Sequence, residues 1–217
     1  MANTVLGGGG DTIKIPGDVR IEGDLNIGGS TTGVARSNLT QDTTEPYTLR
    51  PEGWKTWDDM DTPLPSAGAT DDLGIVGGTF ATGSPSLQTE DLKADGATAN
   101  RARRTFALPP EYDDGQTITI RLHAGMLTTI ADGTATVDVE VYKCDEEAGI
   151  GSDLCTTAAT DINSVTLGDK DFVITPAGLA PGDLLDIRIS TAINDGATAT
   201  AVIGIIGAAK VLLDIRG

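Results

Sequence analysis

The amino-acid sequence predicts an all-β fold: a jelly-roll-like antiparallel β-sandwich preceded by an extended N-terminal arm. Two observations predict this fold. No stretch of ordinary helix length carries apolar residues at the 3.6-residue period of a helix. From Gly74 onward, short apolar runs recur with the two-residue period of a half-buried strand, and 28 Gly and 10 Pro supply turns between them. Because only 4% of residues are aromatic, the core must rest on Val, Ile and Leu.

Residues 1–30 form a glycine-rich arm with three tandem hexapeptides, at 13–18, 19–24 and 25–30. Each hexapeptide is predicted to form a short strand fragment, apolar at both ends, followed by a turn at a glycine. Three such units are too few to enclose a core, so their apolar stripe needs a partner: copies of the same segment, a host surface, or the main domain itself. The predicted assembly stripe consists of Ile13, Ile15, Val19, Ile21, Leu25 and Ile27.

Residues 31–73 are polar, interrupted by prolines, and contain both tryptophans. A segment of this length without periodic apolar residues is unusual inside a compact domain, so we expect an extended linker or arm. Trp54 and Trp57 stand out in this polar setting. They are predicted either to anchor the chain on another protein, since Trp is enriched at binding hot spots, or to cover the bottom of their own sandwich.

Residues 74–217 are predicted to form the sandwich, because eight or nine short strands with frequent turn signals indicate a sandwich or jelly roll. Asp-Gly pairs at 95–96, 132–133 and 195–196 predict tight hairpins. The predicted strands are 75–82, 86–92, 102–108, 117–122, 134–143, 164–167, 172–175, 184–190 and 197–213.

The charge balance limits the classes of partner. Lys and Arg number 15 against 32 Asp and Glu, giving a net charge of −17. This balance opposes binding to nucleic acid or to an anionic membrane, since phosphate groups are bound by Lys and Arg. No apolar run reaches the roughly 18 residues needed to span a bilayer. We therefore expect neither a nucleic acid nor a membrane as partner.

No catalytic, cofactor or metal site is predicted. The single histidine, His123, lies at a strand end without a nucleophile nearby, so it is interpreted as structural. Acidic pairs are frequent, but without aromatic platforms they do not indicate a glycosidase. Asp58, Asp59 and Asp61 resemble a calcium cluster in composition, yet their spacing does not match a twelve-residue calcium loop. The sequence thus predicts a protein that is not an enzyme.

Two further groups of residues leave alternatives open. Cys144 and Cys155 are too few for a zinc site; they form a disulfide across a hairpin or stay reduced, and the sequence favours neither. Arg101, Arg103 and Arg104 form the one basic cluster. On a strand, Arg101 and Arg103 share a face, where they balance local carboxylates or bind an acidic neighbour such as another copy of the chain.

Two stretches, 106–122 (FALPPEYDDGQTITIRL) and 179–189 (LAPGDLLDIRI), resemble segments of structural proteins of tailed-bacteriophage particles. The phrase GDLNIGG at 23–29 resembles attachment segments of phage fibres and decoration proteins. The resemblance implies a virion protein of the capsid decoration (cement) type: a homotrimer on the outer capsid surface, made in the host cytoplasm, with its arm docked on the major capsid protein. The alternative that it implies is a tail-fibre or receptor-binding protein whose β-sandwich head binds carbohydrate.

Overall fold

The computed structural model of this chain describes residues 40–79, 83–93, 96–130, 133–144, 149–196 and 200–216. The three hexapeptides and the whole predicted assembly stripe, from Ile13 to Ile27, lie outside the described residues. All described residues belong to one structural unit.

The described residues form ten strands and a short 3-10 helix at Pro51–Gly53. Within this part of the chain, no helix is long and apolar enough to cross a membrane. The strands are β1 (Thr40–Thr48), β2 (Gly74–Val76), β3 (Ser86–Gln88), β4 (Thr98–Ala107), β5 (Ile118–Met126), β6 (Gly133–Cys144), β7 (Thr160–Asp161), β8 (Gly168–Ile174), β9 (Leu184–Asp195) and β10 (Gly204–Arg216).

The strands pair into two antiparallel sheets. Sheet A has the order β2-β3-β10-β5-β8, with β1 pairing along β10 as well, and sheet B has the order β4-β9-β6-β7. From β3 to β10 the chain crosses from one sheet to the other at every connection except that between β6 and β7. Eight strands wound in this way between two layers form a jelly roll. The predicted fold class, an antiparallel jelly-roll β-sandwich, is confirmed.

The core lies between the sheets and is aliphatic. The two-residue period of β5, β6 and β9 turns alternate side chains inward, so Ile120, Leu122, Val139, Val141 and Ile187 are almost completely buried. Burying each such side chain contributes roughly 1.5–3 kcal/mol. The same period turns the charged residues between them outward, onto the two outer faces of the sandwich.

The segment 40–73 differs from the expected linker, because the structure places it within the sandwich. Strand β1 pairs with β10. Further along, the backbone N–H of Lys55 donates to the carbonyl of Arg103 at 2.9 Å, and the N–H of Leu73 donates to the carbonyl of Arg101 at 2.8 Å. These bonds cover the free edge of β4, an edge that would otherwise present unpaired backbone groups. The segment also adds four core side chains: Leu49, Trp54, Leu64 and Leu73.

The prediction that the Asp-Gly pairs close hairpins was wrong. Gly96 lies between β3 and β4, Gly133 begins β6 after the chain leaves β5, and Gly196 lies between β9 and β10. Each of these connections passes from one sheet to the other. Asp-Gly marks a sharp change of chain direction. In this fold, the connections that contain these pairs lead from one layer to the other and do not return the chain beside the preceding strand.

Candidate binding groove on the outer face of sheet B

A groove with a volume of 380 Å³ lies on the outer face of sheet B. Its volume falls in the range of about 300–1,000 Å³ that is typical of small-molecule sites. Strands β4, β9 and β6 form its floor, and the turn after the 3-10 helix contributes an aromatic wall, Trp57. The polar lining consists of Arg101, Asp138, Glu140, Arg188 and Ser190.

Strand register arranges the polar lining in two rows across the sheet. In one row, Ser190 on β9 pairs with Arg101 on β4 and with Asp138 on β6. In the next row, Arg188 lies between Arg103 and Glu140. Because neighbouring strands are about 4.8 Å apart, each row spans about 10 Å. Guanidinium groups therefore lie on β4 and on the central strand β9, and carboxylates lie on β6.

The carboxylate of Asp186 holds two of these guanidinium groups in place. Its side chain is only 6% exposed. It accepts hydrogen bonds from Arg103 (Nη2 to Oδ2, 2.6 Å; Nε to Oδ1, 3.3 Å) and from Arg188 (Nε to Oδ2, 2.9 Å). The Nη2 atom of Arg188 forms an ion pair with the same Oδ2 at 2.9 Å. Like charges directly opposite each other on neighbouring strands are destabilising, and Arg103 and Arg188 are such a pair. Asp186 offsets this repulsion and fixes both side chains.

Aromatic rings also contact the arginine side chains that line the groove. The guanidinium carbon of Arg188 lies 5.4 Å from the centre of the Trp57 ring and 4.5 Å from that of Tyr142. The guanidinium carbon of Arg101 lies 5.5 Å from the Trp57 ring centre. These are cation–π distances. The backbone N–H of Trp57 also donates to Oδ1 of Asp72 at 2.8 Å, so the position of Trp57 is fixed through both its ring and its backbone.

Asp59 organises the turn that carries Trp57. Its carboxylate accepts hydrogen bonds from the hydroxyl of Thr62 at 2.6 Å and from the backbone N–H of Asp61 at 2.9 Å. The Thr62 hydroxyl, with help from the Asp61 amide, lowers the pKa of Asp59. The structure thus gives this carboxylate a role in the turn. Among the described residues, no group of three or more His, Cys, Asp or Glu side chains is placed to hold a metal ion.

The β6 side of the groove is partly desolvated. Burial raises the pKa of Asp138, and the negative charge of Asp153 raises it further, while a hydrogen bond from the backbone N–H of Val139 at 3.0 Å opposes this shift. Ionised carboxylates only accept hydrogen bonds and guanidinium groups only donate them. The groove therefore offers acceptors and donors on opposite sides, within reach of one small polar ligand.

The predicted arginine cluster divides between the two faces of β4. Arg101 and Arg103 share the outer face, as their spacing predicts, and Arg103 pairs with Asp186 of its own chain. Arg104 contacts the ring of Trp54, with 5.5 Å between its guanidinium carbon and the ring centre. Burial lowers the pKa of Arg104. At Arg103, balancing a local carboxylate is thus the arrangement found in the structure.

The two tryptophans have different environments. Trp54 is 0% exposed and lies in the core of its own sandwich, which is the second of the two alternatives that the sequence left open. Trp57, three residues later, is half-buried at the groove. Only Trp57 is therefore accessible to a ligand.

The two cysteines, both among the described residues, are not joined by a disulfide bond. Cys144 is exposed at the end of β6 and Cys155 is half-buried. Burial raises the pKa of the Cys155 thiol to about 11, which leaves it protonated at neutral pH and a poor nucleophile.

Sequence reasoning missed five groove residues: Asp138, Glu140, Asp186, Arg188 and Ser190. They lie in the predicted strands 134–143 and 184–190, in which charged residues alternate with apolar ones. The sequence alone does not show that β9 lies between β4 and β6, which is what brings these charges together. The sequence signal that could have indicated these residues is the two-residue spacing of their charged side chains. The order of the strands, which brings them together, was the information that the sequence did not contain.

No known protein family matches the chain, and no curated protein matches it. Among solved structures, it is similar to a family 16 carbohydrate-binding module (12% identity, TM-score 0.39, covering 80% of this chain and 96% of that one). It is also similar to the xylan-binding module CBM15 (10% identity, TM-score 0.39, 80% and 99%) and to the Stig cyclase Fisc from Fischerella sp. TAU (13% identity, TM-score 0.41, 79% and 90%). At these scores, none of these likenesses carries an argument about the function of this chain.

Proposed function

We propose that the sandwich is a non-enzymatic binding module that holds a saccharide in the groove beside Trp57. The observation that supports this is the placement of guanidinium donors opposite carboxylate acceptors beneath an aromatic ring. A sugar hydroxyl is both donor and acceptor, so it can donate to Asp138 or Glu140 and accept from Arg101 or Arg188. The indole of Trp57 offers an apolar wall to the C–H groups of the sugar ring.

The rigidity of the groove also favours binding. Arg188 is held by Asp186 and lies against two aromatic rings, and its side chain is only 17% exposed. A side chain that is already fixed loses little conformational entropy when a ligand arrives, so more of the interaction energy remains for affinity.

The placement of the carboxylates argues for binding without hydrolysis. Asp138 and Glu140 are two residues apart on β6 and line the same side of the groove. Glycoside hydrolysis uses two carboxyl groups that flank the scissile bond from opposite sides. A sugar in this groove would meet both carboxylates on one side only. The resemblance to virion proteins then suggests the head of a receptor-binding protein, with residues 1–30 as its attachment segment.

Saccharide binding is tested by calorimetric titration of the full chain against a panel of oligosaccharides. Trp57→Ala is expected to weaken binding at least about tenfold, or about 1.4 kcal/mol, because it removes the apolar wall. The control is Val173→Ala, which removes an apolar side chain 40% exposed on β8 of sheet A. Unchanged affinity in Trp57→Ala, or no binding of any oligosaccharide by the unmodified chain, would contradict the proposal.

A second candidate function is capsid decoration by a homotrimer whose arm docks on the major capsid protein. The observation that favours it is the apolar stripe of the hexapeptides, which a sandwich with a complete core does not need. Deleting residues 1–30 is then expected to convert the trimer into a folded monomer and to abolish co-sedimentation with capsids. Light scattering gives the first result and sedimentation the second. A truncated protein that still occupies capsids fully would exclude an arm-dependent decoration role.

A further inference from the structure

We infer that the saccharide bound in the groove is acidic, with its carboxylate held at the β4 side by Arg101. This inference rests on the proposed function and names the class of ligand for the same site.

The first observation is that the guanidinium groups lie on β4 and β9, apart from the carboxylates of β6. Arg101 and Arg103 on β4 and Arg188 on β9 lie on one face in adjacent rows. One carboxylate, that of Asp186, is shared by Arg103 and Arg188. The other two carboxylates of these rows, Asp138 and Glu140, lie on β6, so positive charge is concentrated on the β4 side of the groove, in a chain whose net charge is −17. A local positive region of this kind is an expected feature of a site that binds an anion.

The second observation is that the guanidinium group of Arg101 has no ion-pair partner among the described residues. This group lies 5.5 Å from the centre of the Trp57 ring and lines the groove. The planar guanidinium group matches the geometry of a carboxylate and binds it through two parallel hydrogen bonds. Arg101 is therefore placed to take a ligand carboxylate while the sugar ring lies against Trp57.

The opposite side of the groove restricts the kind of anion. Arg101, Ser190 and Asp138 form one row about 10 Å long, which leaves space for sugar hydroxyls to reach Ser190 and Asp138. Asp138 and Glu140 would repel a polyanion with charge on every unit, such as a nucleic acid or a densely sulfated chain. The groove therefore fits a sugar that carries one carboxylate at one end and hydroxyls elsewhere.

The experiment compares matched acidic and neutral ligands on the full chain. The probes are 3′-sialyllactose and a disaccharide ending in glucuronic acid, each with its carboxyl-reduced form, titrated calorimetrically at low and high salt. At least one acidic form is expected to bind tenfold or more tightly than its reduced form, and this advantage is expected to shrink as salt rises. Arg101→Gln is expected to remove the advantage, whereas Arg101→Lys, which keeps the charge but not the planar fork, is expected to retain part of it.

The matched control is Arg121→Gln, which changes a strand arginine on the outer face of sheet A and is expected to leave the advantage intact. Circular dichroism establishes that each variant is folded. If the reduced forms bind as tightly as the acidic forms, or if Arg101→Gln keeps the full advantage, the inference is overturned while the proposed function stands. If neither these probes nor neutral oligosaccharides bind, both are overturned.

Discussion

The outer faces of the two sheets carry the same kinds of charged side chain, but the ion pairs are exposed to water on sheet A and partly buried on sheet B. On sheet A, Arg121 donates two hydrogen bonds of 2.6 Å to Asp171 on the neighbouring strand, and Nδ1 of His123 lies 2.7 Å from Asp169. These pairs are open to water, with the Arg121 side chain 36% exposed. On sheet B the corresponding side chains lie under the turn that carries Trp57, and Asp186 is 6% exposed.

This difference comes from the segment 49–73. It covers the edge of β4 and places Trp57 beside the outer face of sheet B, while on the outer face of sheet A the side chains of Arg121 and His123 stay 36% and 45% exposed. Exposed ion pairs contribute little to stability, because water and salt screen them. Partly buried pairs are fixed in place and are costly to break. The comparison indicates that a covering segment turns an ordinary charged sheet face into an organised site.

The largest expected difference in stability between the two faces comes from removing one paired carboxylate on each. Asp186→Ala leaves Arg103 and Arg188 opposite each other without their shared partner, and is expected to lower the free energy of unfolding by about 3–5 kcal/mol. Asp171→Ala, the matched change on sheet A, is expected to cost about 1 kcal/mol or less. Urea denaturation of both variants gives the comparison. Equal decreases in the free energy of unfolding would show that the segment 49–73 does not make the ion pairs of sheet B more stabilising than those of sheet A.

The two tryptophans sharpen the comparison further. Trp54→Ala leaves a cavity in the core and is expected to cost about 3–5 kcal/mol. Trp57→Ala removes a half-buried ring and is expected to cost about 1–2 kcal/mol. Thermal and urea unfolding measure both losses. A loss in Trp57→Ala as large as that in Trp54→Ala would assign Trp57 to the core and not to a binding groove.

The smallest expected effect is a pH dependence of opposite sign on the two faces. The hydrogen bonds from Arg121 lower the pKa of Asp171, so the ionised carboxylate stabilises the fold above the unfolded pKa of about 3.9 and loses this effect as the pH falls through the folded pKa. Burial raises the pKa of Asp138 in the folded state. The free energy of unfolding therefore decreases as the pH rises from the unfolded pKa of this group through its higher folded pKa.

Asn substitutions separate these two contributions at neutral pH. Asp171→Asn is expected to destabilise the protein by less than about 1 kcal/mol, whereas Asp138→Asn is expected to stabilise it. Both differences are expected to disappear in strong acid, where each carboxylate is protonated in the folded and unfolded states. Urea titrations at several pH values measure them. Destabilisation by Asp138→Asn at pH 7 would contradict the assigned environment of Asp138.

Much of the fold followed from the two-residue period. The runs 134–143 and 184–190 lie inside β6 and β9, and the run 117–122 lies inside β5 except for its first residue, because alternating apolar residues on these strands fill the core directly. Strand β1 was missed because its sequence, TQDTTEPYT, has no apolar period and is held by pairing with β10. The predicted strand at 164–167 was wrong, because β8 begins at Gly168. In the loop before it, the backbone N–H of Ser164 donates to the carbonyl of Ile162 at 2.6 Å, and the carbonyl of Ser164 accepts from the N–H of Met126 at 2.8 Å.

The groove could be predicted only in part. Trp57, Arg101 and Arg103 were singled out by their rarity in a polar, acidic chain. Asp186 and Arg188 were not, because charges at two-residue spacing indicate only a face turned to solvent. Their role in the groove depends on the pairing of strands that are far apart in sequence and on the covering segment 49–73, which has no apolar period. A local sequence pattern predicts neither of these.

The most direct test of the groove is an NMR titration of the isotopically labelled full chain with the saccharide that binds most tightly. Changes in chemical shift are expected at the indole N–H of Trp57, at the side-chain N–H groups of Arg101 and Arg188 and at the amide of Ser190, with none at Arg121 or His123 on sheet A. Changes centred on sheet A, or spread evenly over both faces, would contradict the assignment of binding to the groove beside Trp57.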